Sequence, residues 1–201
     1  MQEQIEKGVE ILKQGGIIAF PTDTVCGLGA DAFNPKAVER IYEVKKRSRH
    51  LPFPLLIADI SQLAAVAEPA SGIAWFLAKC FWPGGLTLVV PKAASLPAHL
   101  AKGSTVAIRI PNHPVCLALI RYLGNPIIGT SANISGEPAT STTDEVKQQL
   151  VDKVDLIIDG GKRPAGVEST VVDVTGEAPV ILRQGIIPEH EIDKACKEYG
   201  R

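Results

Sequence analysis

Apolar residues recur along the chain in two patterns, one typical of helices and the other of short buried strands. Residues 2–14 carry apolar side chains at helical spacing, which predicts an amphipathic helix that ends at Gly15-Gly16. The continuous apolar run 17–20 predicts a buried strand. The segment 21–29 that follows is rich in hydroxyl residues and glycine, and it predicts a loop.

Two later helices begin at recognisable capping residues. Asn34 followed by Pro35 is typical of a helix start, and Thr142 with Glu145 forms a capping box that predicts a helix to about residue 150. Apolar spacing and short apolar runs predict further helices and strands. The helices fall at 61–66, 71–81, 112–124 and 188–199, and the strands at 54–58, 86–90, 105–110, 126–129, 155–158, 169–174 and 179–183.

This order of elements predicts one domain with a mixed sheet. Helices and strands alternate over part of the chain, and strands cluster toward its end, which favours an α/β or α+β arrangement over a uniform doubly wound one. A length of 201 residues fits a single domain. We expect residues 1–187 to form that domain and residues 188–201 to form a C-terminal helical tail.

Composition and charge narrow the function classes. Hydrophobic residues make up 45% of the chain and charged residues 21%, which indicates an ordered globular protein. The net charge of −1 argues against a protein that binds nucleic acid along its whole surface. The four cysteines and four histidines are scattered without metal-ligand spacing, so we expect no metal held by protein side chains. The polar N-terminus and the lack of long apolar runs predict a cytoplasmic protein with no membrane partner.

Three polar segments follow predicted strands or helices and are candidates for ligand binding. They are the loop 21–29 with its polar residues Thr22, Asp23 and Thr24, the cationic run 45–50 and the segment 129–133. In open α/β sheets, ligands bind where such loops gather at strand ends. Each segment also has an interpretation that involves no ligand. The first would be a turn held by side-chain hydrogen bonds, the second would place cations at a helix C-terminus, and the third would be a strand-end turn.

Two arginines end apolar strands. Arg109 closes Thr105–Arg109, and Arg183 closes Val180–Arg183. A buried arginine is costly without a partner, so each either lies at the surface in a salt bridge or binds an anion through its guanidinium fork.

The candidate residues belong to six longer motifs. The motifs are Pro21–Val25 with Gly27–Gly29, Lys45-x-Arg47, Thr105–Pro111, Ser131–Asn133, Ser169–Asp173 and Leu182-Arg183-x-Gly185. In this order and spacing they resemble the YrdC/YciO-like family, the threonylcarbamoyl-AMP synthases, over residues 5–187. The chain is similar to the short form of the family, which lacks an extra C-terminal domain.

The resemblance implies a fold and a set of site residues. The fold is a single α/β (α+β) domain with a twisted, mostly open mixed sheet flanked by helices and a positively charged concave cavity. The residues implied to bind ATP are Lys45, Arg47, Thr105, Ser131, Asn133 and Arg183, with Lys45 and Arg47 also catalytic. The residues implied to bind L-threonine are Thr24, Arg109 and Ser169.

The resemblance also implies a reaction. L-Threonine, bicarbonate and ATP, with Mg²⁺ on the ATP, would give threonylcarbamoyl-adenylate and pyrophosphate for N6-threonylcarbamoyladenosine formation in tRNA. The threonylcarbamoyl-transferase machinery would be a partner, and tRNA is a further candidate. The run Ser48–Phe53 is closer to the YciO-type branch of the family. The alternative is therefore a YciO-type paralogue, an RNA-binding or regulatory protein with weak or no synthase activity.

Overall fold

A mixed β-sheet forms the centre of the molecule, and helices lie against both of its faces. The structure, a computed structural model, describes residues 1–68, 70–101, 103–150, 152–160 and 165–200. The helices are α1 (Gln2–Lys13), α2 (Pro35–Lys45), α3 (Gly72–Phe81), α4 (Pro114–Leu123), α5 (Thr143–Leu150) and α6 (Glu189–Tyr199), with a 3₁₀ helix at Ile60–Ala65. None of these described helices is long and apolar enough to cross a membrane.

The strands of the sheet mix parallel and antiparallel pairs. They are β1 (Ile18–Pro21), β2 (Cys26–Asp31), β3 (Leu55–Leu56), β4 (Leu86–Pro91), β5 (Thr105–Arg109), β6 (Ile127–Ser131), β7 (Leu156–Ile157), β8 (Thr170–Asp173) and β9 (Val180–Arg183). Their spatial order is β7-β1-β2-β6-β3-β5-β4-β8-β9. The pairs β1–β7, β3–β5 and β4–β8 are parallel, whereas the others are antiparallel. The predicted single α/β domain with an open mixed sheet is confirmed.

The predicted caps start the helices as expected. Asn34 Oδ1 accepts hydrogen bonds from the backbone N–H groups of Lys36 and Ala37 at 3.1 and 3.2 Å. Thr142 Oγ1 accepts from the N–H of Glu145, whose carboxylate accepts in return from the N–H of Thr142. These bonds satisfy N–H groups that a helix start leaves without an intrahelical partner.

The prediction of a loop throughout 21–29 is wrong for its second half. Residues 26–31 form β2, which lies between β1 and β6 in the interior of the sheet. The strand's glycines suggested a loop, but close packing requires at least one of them. A Cβ at Gly29 would lie 2.6 Å from the carbonyl oxygen of Ile128 on the neighbouring strand. Glycine therefore permits the strand instead of interrupting it.

The two faces of the sheet carry separate apolar clusters. The larger cluster packs one face against α2, α3, α5 and α6, through side chains such as Ile41, Leu77 and Ile192. The smaller cluster packs α1 and α4 against β1 and parts of β3 and β6 on the other face. Helices α1 and α4 thus cover only part of that second face, and its other part remains for a cavity.

The predicted C-terminal helix is present as α6. Its buried residues Ile192 and Ala195 belong to the larger apolar cluster, and Tyr199 packs against Phe76 of α3 with ring centroids 5.6 Å apart. The helix is therefore packed against the same core as the rest of the chain. The division into a domain at 1–187 and a tail at 188–201 stays a prediction.

Candidate active site

A cavity of about 250 Å³ lies over the sheet face that α1 and α4 leave uncovered. Small residues in the middle of strands form its floor, among them Gly27, Ala107 and Gly129. A Cβ at Gly129 would lie 2.3 Å from Leu56 Cγ. A larger residue at position 129 would therefore displace Leu56 or occupy part of the cavity. The site was expected at strand ends. The structure places its floor on the face of the sheet, and loops supply only the walls.

Arg109 forms one wall of the cavity and is held from three directions. It is 6% exposed. Its Nε donates to the carbonyl of Gly84 at 2.8 Å, Nη1 donates to Thr24 Oγ1 at 3.0 Å, and Nη2 donates to Asp23 Oδ1 at 2.7 Å. A guanidinium has five N–H donors, so two remain, one on each terminal nitrogen. Two such donors match the two oxygens of a carboxylate.

Asp23 supplies the counter-charge that this buried arginine needs. Its side chain is 15% exposed, and Oδ1 also accepts from the backbone N–H of Asn112 at 3.0 Å. Asp23 is not one of the residues that line the cavity. It therefore holds Arg109 in position from outside the cavity lining. Without Asp23, the buried positive charge of Arg109 would have no compensating negative charge.

A second corner contains Arg183, Glu168, Ser169 and Thr87. Arg183 Nη1 donates to Glu168 at 2.9 Å, while Nη2 donates to the carbonyl and Oγ of Ser169 at 2.9 and 3.1 Å. Ser169 Oγ lies 2.9 Å from Thr87 Oγ1. All four residues line the cavity, so this corner combines a cation, a carboxylate and two hydroxyl groups.

Arg47 reaches the cavity from the segment that follows α2. It donates to the carbonyls of Leu51 and Pro52 at 3.1 and 3.2 Å, and its guanidinium lies 4.8 Å from the centroid of the Phe53 ring. Burial lowers the pKa of Arg47 below its usual value, and the nearby positive charge of Arg183 contributes to this effect. The two guanidinium groups are thus close enough to repel each other.

The other cations of the run 45–50 do not share this position. Arg49 pairs with Glu39 on the surface, and Lys46, Arg49 and His50 line an outer hollow that Arg47 also borders. The sequence presented the run 45–50 as one cationic segment. In the structure, Arg47 is the cation of the run that lines the cavity, since the backbone turns after α2 and sends successive side chains in different directions.

Lys45 and Asn133 lie behind the cavity wall and not in its lining. Lys45 is 1% exposed, and its Nζ donates to the carbonyl of Ser131 at 2.6 Å and to Asn133 Oδ1 at 2.7 Å. Burial lowers the pKa of Lys45 to about 8, with a further lowering from Arg47. In this structure Lys45 anchors the end of β6, where Ser131 lines the cavity.

The predicted site residues therefore divide into two groups. The residues that line one common cavity are Thr24, Arg47, Arg109, Ser131, Ser169 and Arg183. Those outside its lining are Lys45, Thr105 and Asn133. Thr105 lies at the start of β5 opposite Pro91 of β4, two residues before the cavity residue Ala107.

Two polar lining residues, Thr87 and Glu168, lie outside every candidate segment, and Thr22 lies in a candidate segment but was not among the residues implied to bind a ligand. Thr22 and Thr87 are buried threonines at 4% and 1% exposure, and Glu168 is the one carboxylate among the described lining residues. A threonine within the apolar strand at Leu86–Pro91 was a detectable signal, because a buried hydroxyl needs a partner. The role of Glu168 could not be read from the sequence, since Arg183 meets it only through the pairing of β8 with β9.

No group of three or more histidine, cysteine, aspartate or glutamate residues suited to a metal ion occurs within the described ranges. Glu168 is already bonded to Arg183. Mg²⁺ in phosphate-transfer sites is typically bound by one or two carboxylates, water and the substrate phosphates, and not by a complete protein cage. The site therefore fits a metal that arrives with phosphates.

Comparison with known proteins gives close relatives. A threonylcarbamoyl-AMP synthase of Pyrococcus abyssi is 45% identical over 188 residues, 93% of this chain and 55% of that protein. A threonylcarbamoyl-AMP synthase of Bacillus subtilis is 45% identical over 192 residues, 94% of this chain and 56% of that protein. The chain thus spans about half the length of these curated relatives.

Solved structures share the fold. Sua5 of P. abyssi in complex with L-threonine superposes with a TM-score of 0.93 at 42% identity, covering 97% of this chain and 58% of that one. The crystal structure of Escherichia coli YciO gives a TM-score of 0.86 at 32% identity, covering 94% and 92%. A family model named Sua5_yciO_yrdC and described as telomere recombination matches residues 10–185. The chain belongs to the Sua5/YciO/YrdC family.

Proposed function

We propose that this protein makes threonylcarbamoyl-AMP from L-threonine, bicarbonate and ATP. One observation carries the proposal: Arg47, Arg183 and Arg109 line a single cavity whose floor is made of small residues. Arg47 and Arg183 lie close to each other, whereas Arg109 is held by Gly84, Thr24 and Asp23. This arrangement provides one region for polyphosphate and another for a carboxylate. Relatives that are 45% identical bear the name threonylcarbamoyl-AMP synthase.

The phosphate region rests on unbalanced positive charge. Arg47 and Arg183 influence each other electrostatically, and Lys45 lies behind them with its pKa lowered by burial and by Arg47. Glu168 is the single described carboxylate in the lining that offsets them. The phosphates of ATP would relieve this repulsion through charge-assisted hydrogen bonds. Ser131, at the end of β6, adds a neutral hydroxyl beside them.

The amino-acid region rests on Arg109. Its two remaining N–H donors would hold the threonine carboxylate, while the hydroxyls of Thr24 and Ser169 contact other polar groups of the substrate. The relative with a solved L-threonine complex belongs to the same family and shares the fold. A site that hydrogen-bonds a polar substrate group rejects analogues that lack it.

The proposed chemistry needs no covalent intermediate with the protein. The neutral threonine amine adds to CO₂ with loss of a proton to solvent, or to bicarbonate with loss of water, and gives an N-carboxylate. An oxygen of this carboxylate attacks the α-phosphorus of ATP, and the bond from that phosphorus to the leaving pyrophosphate breaks. No histidine lies among the described lining residues, so no cavity hydroxyl has a neighbouring general base of that type. The protein would act by positioning the reactants and by offsetting negative charge as the carboxylate approaches the polyphosphate.

Mg²⁺ would enter bound to ATP. When bound, it supplies charge neutralisation on the phosphate oxygens. Arg183 would contact the same phosphates, and its bond to Glu168 would have to be released for this contact. The partner machinery, a direct contact with tRNA and a cytoplasmic location belong to this proposal as well.

A pyrophosphate-release assay tests the proposal. The protein is mixed with ATP, Mg²⁺ and bicarbonate, with and without L-threonine, and with L-serine as a comparison. Release that depends on both threonine and bicarbonate, with ¹³C-bicarbonate carbon appearing in an adenylate product, is expected. Pyrophosphate release that is indifferent to threonine would contradict the proposed reaction.

A paired substitution tests the phosphate region. Arg47→Ala is expected to lower turnover by about 10²–10³-fold, the scale of one preorganised electrostatic contact. Arg49→Ala is the matched control, because it removes a cation two residues away that pairs with Glu39 outside the cavity. Equal activities for the two variants would show that Arg47 does not act on the phosphates.

The YciO-type alternative is less well supported. E. coli YciO is 34% identical over 191 residues, compared with 45% for the two synthases. An RNA-binding function would show as strongly salt-dependent RNA affinity without threonine-dependent pyrophosphate release.

A further inference from the structure

The hydroxyl of Thr22 lines the cavity but has no capacity left for a ligand. A hydroxyl donates one proton and accepts up to two. Thr22 Oγ1 donates to the carbonyl of Val25 at 2.7 Å and accepts from the backbone N–H of Thr24 at 3.1 Å. It also lies 3.0 Å from Thr24 Oγ1. Because its one proton goes to a carbonyl, which can only accept, this last contact has Thr24 as the donor.

The direction of that bond determines what Thr24 can offer. Thr24 Oγ1 gives its only proton to Thr22 and accepts from Arg109 Nη1 at 3.0 Å. One lone pair therefore remains, and Thr24 has no proton to give. Thr24 lines the cavity and is 1% exposed, so rotation of its side chain is restricted. The remaining lone pair of Oγ1 is therefore held in one direction. A ligand group that reaches Thr24 Oγ1 must be a hydrogen-bond donor.

The pair formed by Ser169 and Thr87 provides a contrast within the same cavity. Their oxygens lie 2.9 Å apart, and Ser169 Oγ accepts from Arg183 Nη2. Either hydroxyl can be the donor of the shared bond, so this pair can adapt to a donor or an acceptor. Of these two pairs, the one formed by Thr22 and Thr24 has its hydroxyl direction fixed.

We infer that Thr22 is a positioning residue which holds Thr24 as a hydrogen-bond acceptor, so that this part of the cavity selects an amino group beside the carboxylate bound by Arg109. The α-amino group is the donor closest to the carboxylate in an α-amino acid. Thr24 Oγ1 is itself only 3.0 Å from Arg109 Nη1. The inference rests on the proposed function, since it assigns the group that the threonine region recognises.

Two matched ligands test this selection. L-2-Aminobutyrate and 2-oxobutanoate share a carbon skeleton and a carboxylate, and they differ at the α-position, which carries a donor in the first and an acceptor in the second. Each is measured as a competitor of L-threonine in pyrophosphate release and by calorimetric binding without ATP. The readout is the ratio of the two inhibition constants, which a general loss of stability would not change.

We expect wild-type protein to prefer L-2-aminobutyrate at least tenfold. Thr22→Val frees the proton of Thr24 to turn toward the cavity, so the ratio should fall about three- to tenfold, the scale of one hydrogen bond. Thr22→Ser should restore the wild-type ratio, since it keeps the oxygen. If Thr22→Val does not fold, Thr22→Ala gives the same comparison.

Thr140→Val is the matched control for removal of a buried hydroxyl. Thr140 is 1% exposed and donates to the carbonyl of Ala132, but it is not a lining residue. It should keep the wild-type ratio. A ratio in Thr22→Val within twofold of wild type, or one that Thr22→Ser fails to restore, overturns the inference alone. A wild-type protein that binds neither L-threonine nor L-2-aminobutyrate overturns the proposed function and the inference with it.

Discussion

Replacement of Arg109 by lysine separates charge from geometry in the amino-acid region. Arginine has five N–H donors, and three of them go to Gly84, Thr24 and Asp23. Two donors remain for a substrate carboxylate. Lysine keeps the positive charge but has three N–H donors on one nitrogen, as many as the protein acceptors alone require. The lysine variant therefore has no donor left for the carboxylate.

The expected loss follows from this count. A hydrogen bond to a charged group contributes about 1.5–3 kcal/mol. At the lower value, losing two such bonds costs about 3 kcal/mol, which corresponds to about a 150-fold rise in the KM for L-threonine. The turnover number at saturating threonine should change much less, because the phosphate region remains intact.

The measurement is threonine-dependent pyrophosphate release over a wide range of threonine concentration, together with calorimetric binding of L-threonine. Arg121→Lys is the matched control, since Arg121 is exposed in the last turn of α4. It should leave KM unchanged. A KM for Arg109→Lys within threefold of wild type would refute the reasoning, because it would mean that the two remaining donors do not meet the carboxylate.

Three further outcomes are expected. Burial lowers the pKa of Lys45 to about 8, so between that value and 10.5 the unfolded chain binds more protons, and the free energy of unfolding should rise with pH. Denaturant titrations should show no such contribution in Lys45→Met. Glu168→Gln should lower the KM for ATP about two- to fivefold by releasing Arg183, with little change in melting temperature because both side chains are near 40% exposed. Iodoacetamide at pH 8 should label exposed Cys80 before Cys116, whose thiol pKa is raised by burial, as followed by mass spectrometry.

Local signals predicted most of the secondary structure. These signals act over a few residues, so they can be recognised from neighbouring residues in the sequence. Examples are the caps at Asn34 and Thr142 and the apolar spacing of α1. The strand β2 could not be read in this way. Its glycines are favourable because β1 and β6 lie on either side of it, and β6 is about 100 positions away in the chain.

The candidate site shows the same division. Motif order indicated Thr24, Arg47, Arg109, Ser131, Ser169 and Arg183, and the structure brings all six to one cavity. Motif order could not tell that Lys45 lies behind the cavity wall while Arg47 lines the cavity, because both residues belong to the same short motif. It also could not reveal the bond between Thr87 and Ser169, which are 82 residues apart.

The sequence by itself determined the helix starts, the apolar strands and the set of cations and hydroxyls available for chemistry. These properties depend on residue type and on spacing within a few positions. The tertiary structure decided which of those groups share a cavity, which are used up by other protein groups, and which way the Thr22 and Thr24 protons point. Burial, counter-charges and hydrogen-bond direction depend on distances between segments far apart in the chain, and folding alone sets those distances.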